Sequence, residues 1–149
     1  MDKVEISNIR YSSPKYKGVW DLREEVLRRP LGLSLKNDDL SRDHHDDIFI
    51  AESNNKVIAC LLLHQLEDNC VQLRAMAVYD EWQGKGIGKL LVQSAEKFCR
   101  ESGYRKIILH ARKVALGFYS GMGYTVCSDE FVEVGIPHFI MEKELNAHQ

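Results

Sequence analysis

The sequence has no long hydrophobic segment, little proline and almost no net charge. Its longest uninterrupted apolar run, residues 57–63, has seven residues, whereas a membrane-spanning helix needs roughly 20. The first residues, Met1-Asp2-Lys3, fit neither a secretory signal nor a myristoylation site. A net charge of −2 disfavours nucleic-acid binding, which usually relies on an excess of basic residues. We therefore expect a cytoplasmic protein that binds neither membranes nor nucleic acid.

The cysteines and histidines are not spaced as metal ligands. None of the four cysteines forms a Cys-x-x-Cys pair, and their apolar or strand-like contexts favour buried, reduced thiols. These residues are Cys60, Cys70, Cys99 and Cys127. His44 and His45 lie in a polar, aspartate-rich stretch, and adjacent histidines rarely meet on one ion without further ligands. The sequence predicts no disulfide and no metal site.

Length and periodicity predict one α/β domain over residues 1–149, with a mixed, mostly antiparallel sheet flanked by helices. The predicted strands are residues 4–9, 47–52, 56–65, 70–78, 106–111 and 138–144, with a strand or long arm at 124–134. The predicted helices are one that Pro14 opens and that ends before Pro30, one over 86–103 and one over 113–122. We expect residues 31–45 to form an exposed loop or a short helical turn.

A glycine-rich stretch, Gln83-Gly84-Lys85-Gly86-Ile87-Gly88, lies between a predicted strand and a predicted helix. The first N–H groups of a helix are unpaired, and glycines let a phosphate approach that positive end. A Walker A loop would need Gly in place of Gln83 and Ser or Thr in place of Leu90. A dinucleotide fingerprint would need Gly in place of Lys89. The stretch therefore predicts a nucleotide-like phosphate ligand bound by another kind of loop.

Basic residues are concentrated around this stretch. Between Gln83 and Lys113 there are eight lysines and arginines against two glutamates. Lys85 and Lys89 flank the loop and are the candidate phosphate ligands. The other basic residues of the helix are better explained as a solvated face.

Two motifs resemble those of a known family. Gln83, Gly86 and Gly88 form a Gln-x-x-Gly-x-Gly pattern that resembles the acyl-CoA pyrophosphate loop of the GNAT superfamily of N-acyltransferases. Residues 115–124 resemble the family's Ala-x-x-Phe-Tyr-x-x-x-Gly-Phe/Tyr signature. The resemblance covers residues 48–144 and implies the GNAT fold. One position departs from the family, because Arg112 stands where the family often has an Asn that contacts the cofactor.

The resemblance implies which residues bind acetyl-CoA. They are Met76, Ala77, Val78, Gln83, Gly84, Lys85, Gly86, Ile87, Gly88 and Lys89. Backbone N–H groups near Ala77 and Val78 would polarise the acetyl carbonyl, and such donors contribute roughly 3 kcal/mol to transition-state stabilisation. No metal is implied.

The resemblance also implies direct attack of an amine on the thioester of acetyl-CoA, or of another short acyl-CoA, while both substrates are bound. Tyr119 would protonate the departing thiolate, because a phenol with an ordinary pKa of about 10 is protonated at pH 7. Packing on the sheet beside Phe118 is the structural alternative for this ring. His138 is the first candidate for the general base, since imidazole titrates near neutrality. Glu133 and His110 follow, and a water relay without any base is the other explanation.

The acceptor is less constrained by the sequence. Arg23 and Arg28 lie in a segment that resembles a subgroup of mostly uncharacterised bacterial GNAT proteins, and they would bind a carboxylate or phosphate on the acceptor. Alternatively, they complement a helix C-terminus. We expect a small-molecule amine rather than a protein lysine, and by resemblance a homodimer. The alternative functions are a CoA-binding sensor without turnover and an unrelated nucleotide-binding protein.

Overall fold

The computed structural model describes residues 3–146. The strands within these residues are β1 Glu5–Ile9, β2 Asp47–Ser53, β3 Lys56–Gln65, β4 Cys70–Val78, β5 Lys106–Arg112, β6 Thr125–Val126, β7 Phe131–Glu133 and β8 Ile136–Glu144. The α-helices are α1 Tyr16–Arg23, α2 Ile87–Glu101 and α3 Leu116–Ser120. None of the helices described here has the length and apolar character needed to cross a membrane.

The chain divides into two compact units. The first contains the described residues up to His64 together with Ala75–Ala95. The second contains Gln65–Arg74 and the described residues from Glu96 onward. Each unit is built on strands that pair mostly antiparallel, as the sequence predicts.

In the first unit the strands follow the order β1-β2-β3-β4. The hairpin of β2 and β3 closes at Asn54 and Asn55, whose φ angles of 51° and 63° are left-handed. Asparagine tolerates this conformation better than most residues, which makes the pair suitable for a tight hairpin turn. Val19 and Leu22 of α1 are fully buried and pack in one apolar cluster with β2 and β3. The predicted hairpin and amphipathic helix are confirmed.

The prediction that the first helix ends before Pro30 is confirmed, because α1 ends at Arg23. After α1 the backbone continues as a π-helical turn over Glu24–Arg28 and a 3₁₀ turn over Arg29–Leu31. Pro30 lies in the first turn of that 3₁₀ segment, where its missing N–H needs no acceptor. Gly32 then ends the helical backbone with a left-handed φ of 72°.

The second unit is organised around β8. The start of β4 pairs parallel with β5, and β5 pairs antiparallel with β8. Both β6 and β7 also pair antiparallel with β8. The predicted helix over 113–122 is shorter, a 3₁₀ turn over Lys113–Ala115 followed by α3. The predicted arm over 124–134 consists of two separate short strands.

Each of the four cysteines, all within the described residues, is a free thiol. Cys60 and Cys99 are buried and Cys70 is half-buried, but Cys127 is exposed. The prediction of a buried Cys127 is therefore wrong. The residue directly follows β6, a strand of two exposed residues at the end of the second unit's strand order. Its Sγ lies 3.5 Å from the Ile140 carbonyl oxygen.

Candidate functional site

The glycine-rich loop connects the end of β4 to the start of α2 within the first unit. A 3₁₀ turn over Asp80–Trp82 leads into it. The Gln83 Nε2 donates hydrogen bonds to the Val78 carbonyl at 3.0 Å and to Asp80 Oδ1 at 3.3 Å. These bonds tie the loop to the end of the strand, so the Gln83 side chain fixes the loop's conformation.

The loop's glycines are required by its backbone. Gly84 and Gly86 have φ angles of 76° and 80°, in the left-handed region that glycine occupies without strain. A Cβ added at either position would meet no atom within 4 Å, so the space above them is open. The Leu90 N–H makes a 3.1 Å bond to the Gly86 carbonyl. The N–H groups of residues 87–89 precede it and form the positive end of α2. This arrangement can bind a phosphate group.

The two candidate phosphate lysines are both exposed. The Lys85 Nζ lies 4.9 Å from the centre of the Trp82 ring, an arrangement that orients the ammonium group beside the loop. Lys89 lies in the first turn of α2. Their role as cofactor ligands stays a prediction.

The strand segment before the loop contains a strained residue. Ala75 has a φ of 52°, which for a non-glycine residue costs roughly 1–2 kcal/mol. Its carbonyl lies 3.5 Å from the Cys60 Sγ. A left-handed residue within a strand is typical of a β-bulge, which redirects the residues that follow. Those residues include Ala77 and Val78, which the family resemblance assigns to the acetyl group. Such strain often marks functional sites.

Tyr119 lies in the second unit, on α3, with a side chain that is 8% exposed. Its ring packs edge-on against Phe118 and Tyr124, with ring centres 5.0 Å and 5.8 Å away. Burial raises the pKa of Tyr119 to about 12. The phenol is therefore protonated at neutral pH and can act as a proton donor.

A buried charged network supports the segment after Tyr119. Glu96 is 4% exposed and accepts hydrogen bonds from the Tyr124 hydroxyl at 2.8 Å and the Lys143 Nζ at 3.0 Å. Lys143 also donates to the Met122 carbonyl at 2.8 Å. In the sequence, Glu96 is counted only as one of the two glutamates between Gln83 and Lys113. Its position among the apolar residues of α2 was the available signal for burial.

The second unit brings the three candidate bases together. His138 is buried, and its Nδ1 lies 2.9 Å from the Ile136 carbonyl oxygen. Its Nε2 is 3.7 Å from Glu133 Oε2. The other carboxylate oxygen of Glu133 lies 2.9 Å from the His110 Nδ1. One carboxylate thus stands between two imidazoles.

The two arginines assigned to the acceptor have aspartate partners. Arg23 is 3% exposed, and its Nη1 donates to Asp43 Oδ2 at 2.7 Å. Arg28 binds both oxygens of Asp38, through Nε at 3.2 Å and Nη2 at 2.9 Å. Both charges are therefore neutralised by nearby residues. Their contact with an acceptor stays a prediction.

The prediction that the aspartate-rich segment is exposed is wrong for two of its residues. Asp43 and Asp46 are fully buried, because Arg23 pairs with the first and the His64 Nδ1 lies 2.6 Å from Oδ1 of the second. The His44 ring packs on Tyr11 with centres 4.0 Å apart. Residues 3–146 contain no group of three or more His, Cys, Asp or Glu side chains that could hold a metal ion.

Residues 29–145 match the family model described as "Acetyltransferase (GNAT) domain". An uncharacterized Bacillus subtilis protein, YyaT, is 36% identical over 75 residues, which cover 50% of this chain and 51% of that protein. The chain spans about half the length of the first curated relatives it matches.

Two solved structures show the same fold. Escherichia coli ElaA matches with a TM-score of 0.85 and 18% identity, covering 95% of this chain and 100% of that chain. A GNAT family acetyltransferase from Elizabethkingia anophelis with acetyl-CoA bound matches with a TM-score of 0.72 and 19% identity, covering 97% and 100%.

Proposed function

Because the chain belongs to the acetyltransferase (GNAT) domain family, we propose that it transfers an acetyl group from acetyl-CoA to a primary amine. The amine nitrogen attacks the thioester carbonyl directly; a C–N bond forms, the C–S bond breaks, and CoA leaves as a thiol. The observation that carries this proposal is the loop between β4 and α2, with two left-handed glycines below an open surface. The acetyl-CoA bound to the Elizabethkingia anophelis relative supports the choice of donor.

The loop would bind the CoA pyrophosphate. Its phosphate oxygens would accept hydrogen bonds from the first N–H groups of α2, and Lys85 and Lys89 would supply positive charge. The end of β4 would orient the thioester, with N–H groups near Ala77 and Val78 polarising its carbonyl. Strain at Ala75 supports a specialised role for this part of the strand.

Tyr119 and His138 would carry the two proton transfers. Tyr119 would protonate the leaving thiolate, which is consistent with its burial and its raised pKa of about 12. His138 would take the proton that an alkylammonium acceptor must lose before it can attack. We propose that the acceptor is a small molecule. Arg28, the less buried of the two arginines, is the better contact for an anionic group on it.

Titration calorimetry with acetyl-CoA, run beside ATP and NAD, tests the cofactor assignment. A free-thiol assay on the same preparation, with a panel of primary amines, tests turnover. Saturable acetyl-CoA binding with amine-dependent thiol release is the expected result. Binding without release from any amine would favour a CoA sensor, and tight ATP or NAD binding without acetyl-CoA binding would overturn the proposal.

A further inference from the structure

Five polar and aromatic side chains share one face of the second unit's sheet around His138. Arg112 of β5 and Phe131 of β7 lie opposite His138 on either side of β8. Because side chains alternate along a strand, His110 shares the face of Arg112, and Glu133 shares that of Phe131. The contacts among His110, Glu133 and His138 follow from this register.

The hairpin turn between β7 and β8 sets the position of Glu133. Val134 and Gly135 form its two central residues, with φ angles of 47° and 79°, and Glu133 lies opposite Ile136. A left-handed valine is unfavourable, so the sequence accepts strain at this turn. The tight turn keeps Glu133 directly beside the first residues of β8, where His138 lies.

The hydrogen bond at Nδ1 determines which nitrogen of His138 can act as a base. The Ile136 carbonyl can only accept, so at 2.9 Å the Nδ1 must carry the proton. In the neutral ring the lone pair is therefore on Nε2, the nitrogen that faces Glu133. The tautomer needed for proton acceptance is fixed by the backbone of the same strand.

His138 is buried, whereas Glu133 and His110 are both partly exposed. The His138 side chain is 5% exposed, whereas those of Glu133 and His110 are 44% and 31% exposed. The Phe131 ring packs against both imidazoles. It is stacked on the His138 ring, with ring centres 5.9 Å apart, and lies edge-on to the His110 ring, with ring centres 5.3 Å apart. The arrangement leads from a buried base to solvent.

We propose that His138, Glu133 and His110 form a relay that carries the acceptor's proton to solvent, a role that rests on the acetyl transfer proposed above. The ammonium proton passes to His138 Nε2, and the amine keeps the electron pair that forms the C–N bond. Because Nε2 has a single lone pair, the amine must move away to the thioester before the proton can go further. One water molecule then takes the amine's place and carries the proton to Glu133, since the 3.7 Å gap exceeds a direct hydrogen bond. The proton then moves from Glu133 to His110 Nδ1, and His110 releases a proton to water from Nε2.

Other charges border the relay. Arg112 lies directly opposite His138, and Lys113, which follows β5, pairs with Glu130 at 3.1 Å just before β7. Glu130 carries the same charge as Glu133 but contacts Lys113, which makes it a matched control.

The test compares Glu133→Gln with Glu130→Gln, using the primary alkylamine that gives the fastest thiol release with the unsubstituted protein. Glu133→Gln keeps the shape of the side chain but cannot accept a proton. We expect it to lower kcat by about 10-fold or more, with acetyl-CoA affinity unchanged and kcat partly restored by imidazole buffer. His110→Asn should give a smaller loss that imidazole also restores. Glu130→Gln should retain its kcat.

Buffer rescue separates a relay from a structural role, because added imidazole cannot repair a misfolded strand. A Glu133→Gln protein with unchanged kcat, or with a loss that imidazole does not restore, would overturn the relay while leaving acetyl transfer intact. Absence of thiol release by the unsubstituted protein would instead overturn both. Imidazole ¹⁵N shifts give a readout without turnover: they should show the His138 proton on Nδ1, and the other tautomer would refute the relay.

Discussion

The Tyr124 hydroxyl donates a 2.8 Å hydrogen bond to Glu96, a carboxylate that is almost completely buried in the second unit. Because hydrogen bonds to charged groups contribute roughly 1.5–3 kcal/mol, Tyr124→Phe should lower the free energy of unfolding by about 2 kcal/mol. Urea unfolding followed by circular dichroism measures this change. Tyr11→Phe, at an exposed ring, should change stability by less than about 0.5 kcal/mol. Equal effects of the two substitutions would contradict the importance of the buried bond.

Gly86→Ala should weaken acetyl-CoA binding by about 10-fold or more, because a left-handed alanine disfavours the backbone that presents the first N–H groups of α2. Gly103→Ala is the matched control. Gly103 has a φ of 86°, against 80° at Gly86, and a Cβ would meet no atom within 4 Å at either position. Both variants should lose about 1 kcal/mol of stability. Calorimetry should show weaker binding for Gly86→Ala alone, and equal weakening would show that general strain is the cause.

Tyr119→Phe should lower kcat by about 100-fold, since it removes the proposed donor to the CoA thiolate. Acetyl-CoA affinity should change little because the ring remains in its aromatic cluster. Thiol-release kinetics and calorimetry measure the two quantities separately. An unchanged kcat would exclude Tyr119 as the acid, and a large loss of affinity would indicate a binding role.

Asp43→Asn should destabilise the first unit by about 3 kcal/mol, because it leaves the buried Arg23 guanidinium without its countercharge. The surface pair of Lys17 and Asp21 offers the comparison, and Asp21→Asn should cost less than about 0.5 kcal/mol. Thermal and urea unfolding measure both. If Arg23 binds the acceptor instead, Asp43→Asn should raise the KM for amine while stability stays nearly constant.

Stability should fall as pH rises above about 10. Desolvation raises the pKa of Tyr119 to about 12 from its ordinary value of 10, so the folded protein holds this proton more tightly than the unfolded chain does. The raised pKa of Tyr119 adds about 3 kcal/mol to the free energy of unfolding. This stabilisation is fully present below pH 10 and is lost between pH 10 and 12. Desolvation also raises the pKa of Tyr16 and of Tyr124, with their carboxylate partners adding to the shift. Urea unfolding at a series of alkaline pH values should show a shallower decline for Tyr119→Phe, and identical slopes would contradict the assignment.

Local signals in the sequence predict much of the fold. Alternation of apolar residues and the Asn54-Asn55 turn predict the hairpin, and the glycines predict where α2 begins. These features depend on residues close together in sequence, where backbone preferences act directly. The candidate cofactor loop is predicted for the same reason.

Features that depend on distant partners are not predicted. The burial of Asp43 depends on Arg23, twenty residues earlier. The segment after α1 is held by Glu24, which accepts hydrogen bonds from the Leu35 N–H at 2.8 Å and the Ser34 hydroxyl at 2.9 Å. The grouping of the histidines around Glu133 needs the register of three strands. Periodicity within one element contains no information about such pairings.

The exposed Cys127 has a consequence for chemical labelling. It is the single exposed thiol among the four cysteines, so a maleimide fluorophore should attach there at close to one equivalent per chain. Partial desolvation and then the Glu142 carboxylate raise the pKa of this thiol, so the labelling reaction should be slow at neutral pH. A disulfide reagent that reports free CoA will also report this sulfur as a slow background. A Cys127→Ser protein would give a cleaner signal, and the labelled form would carry a spectroscopic probe beside the β8 strand.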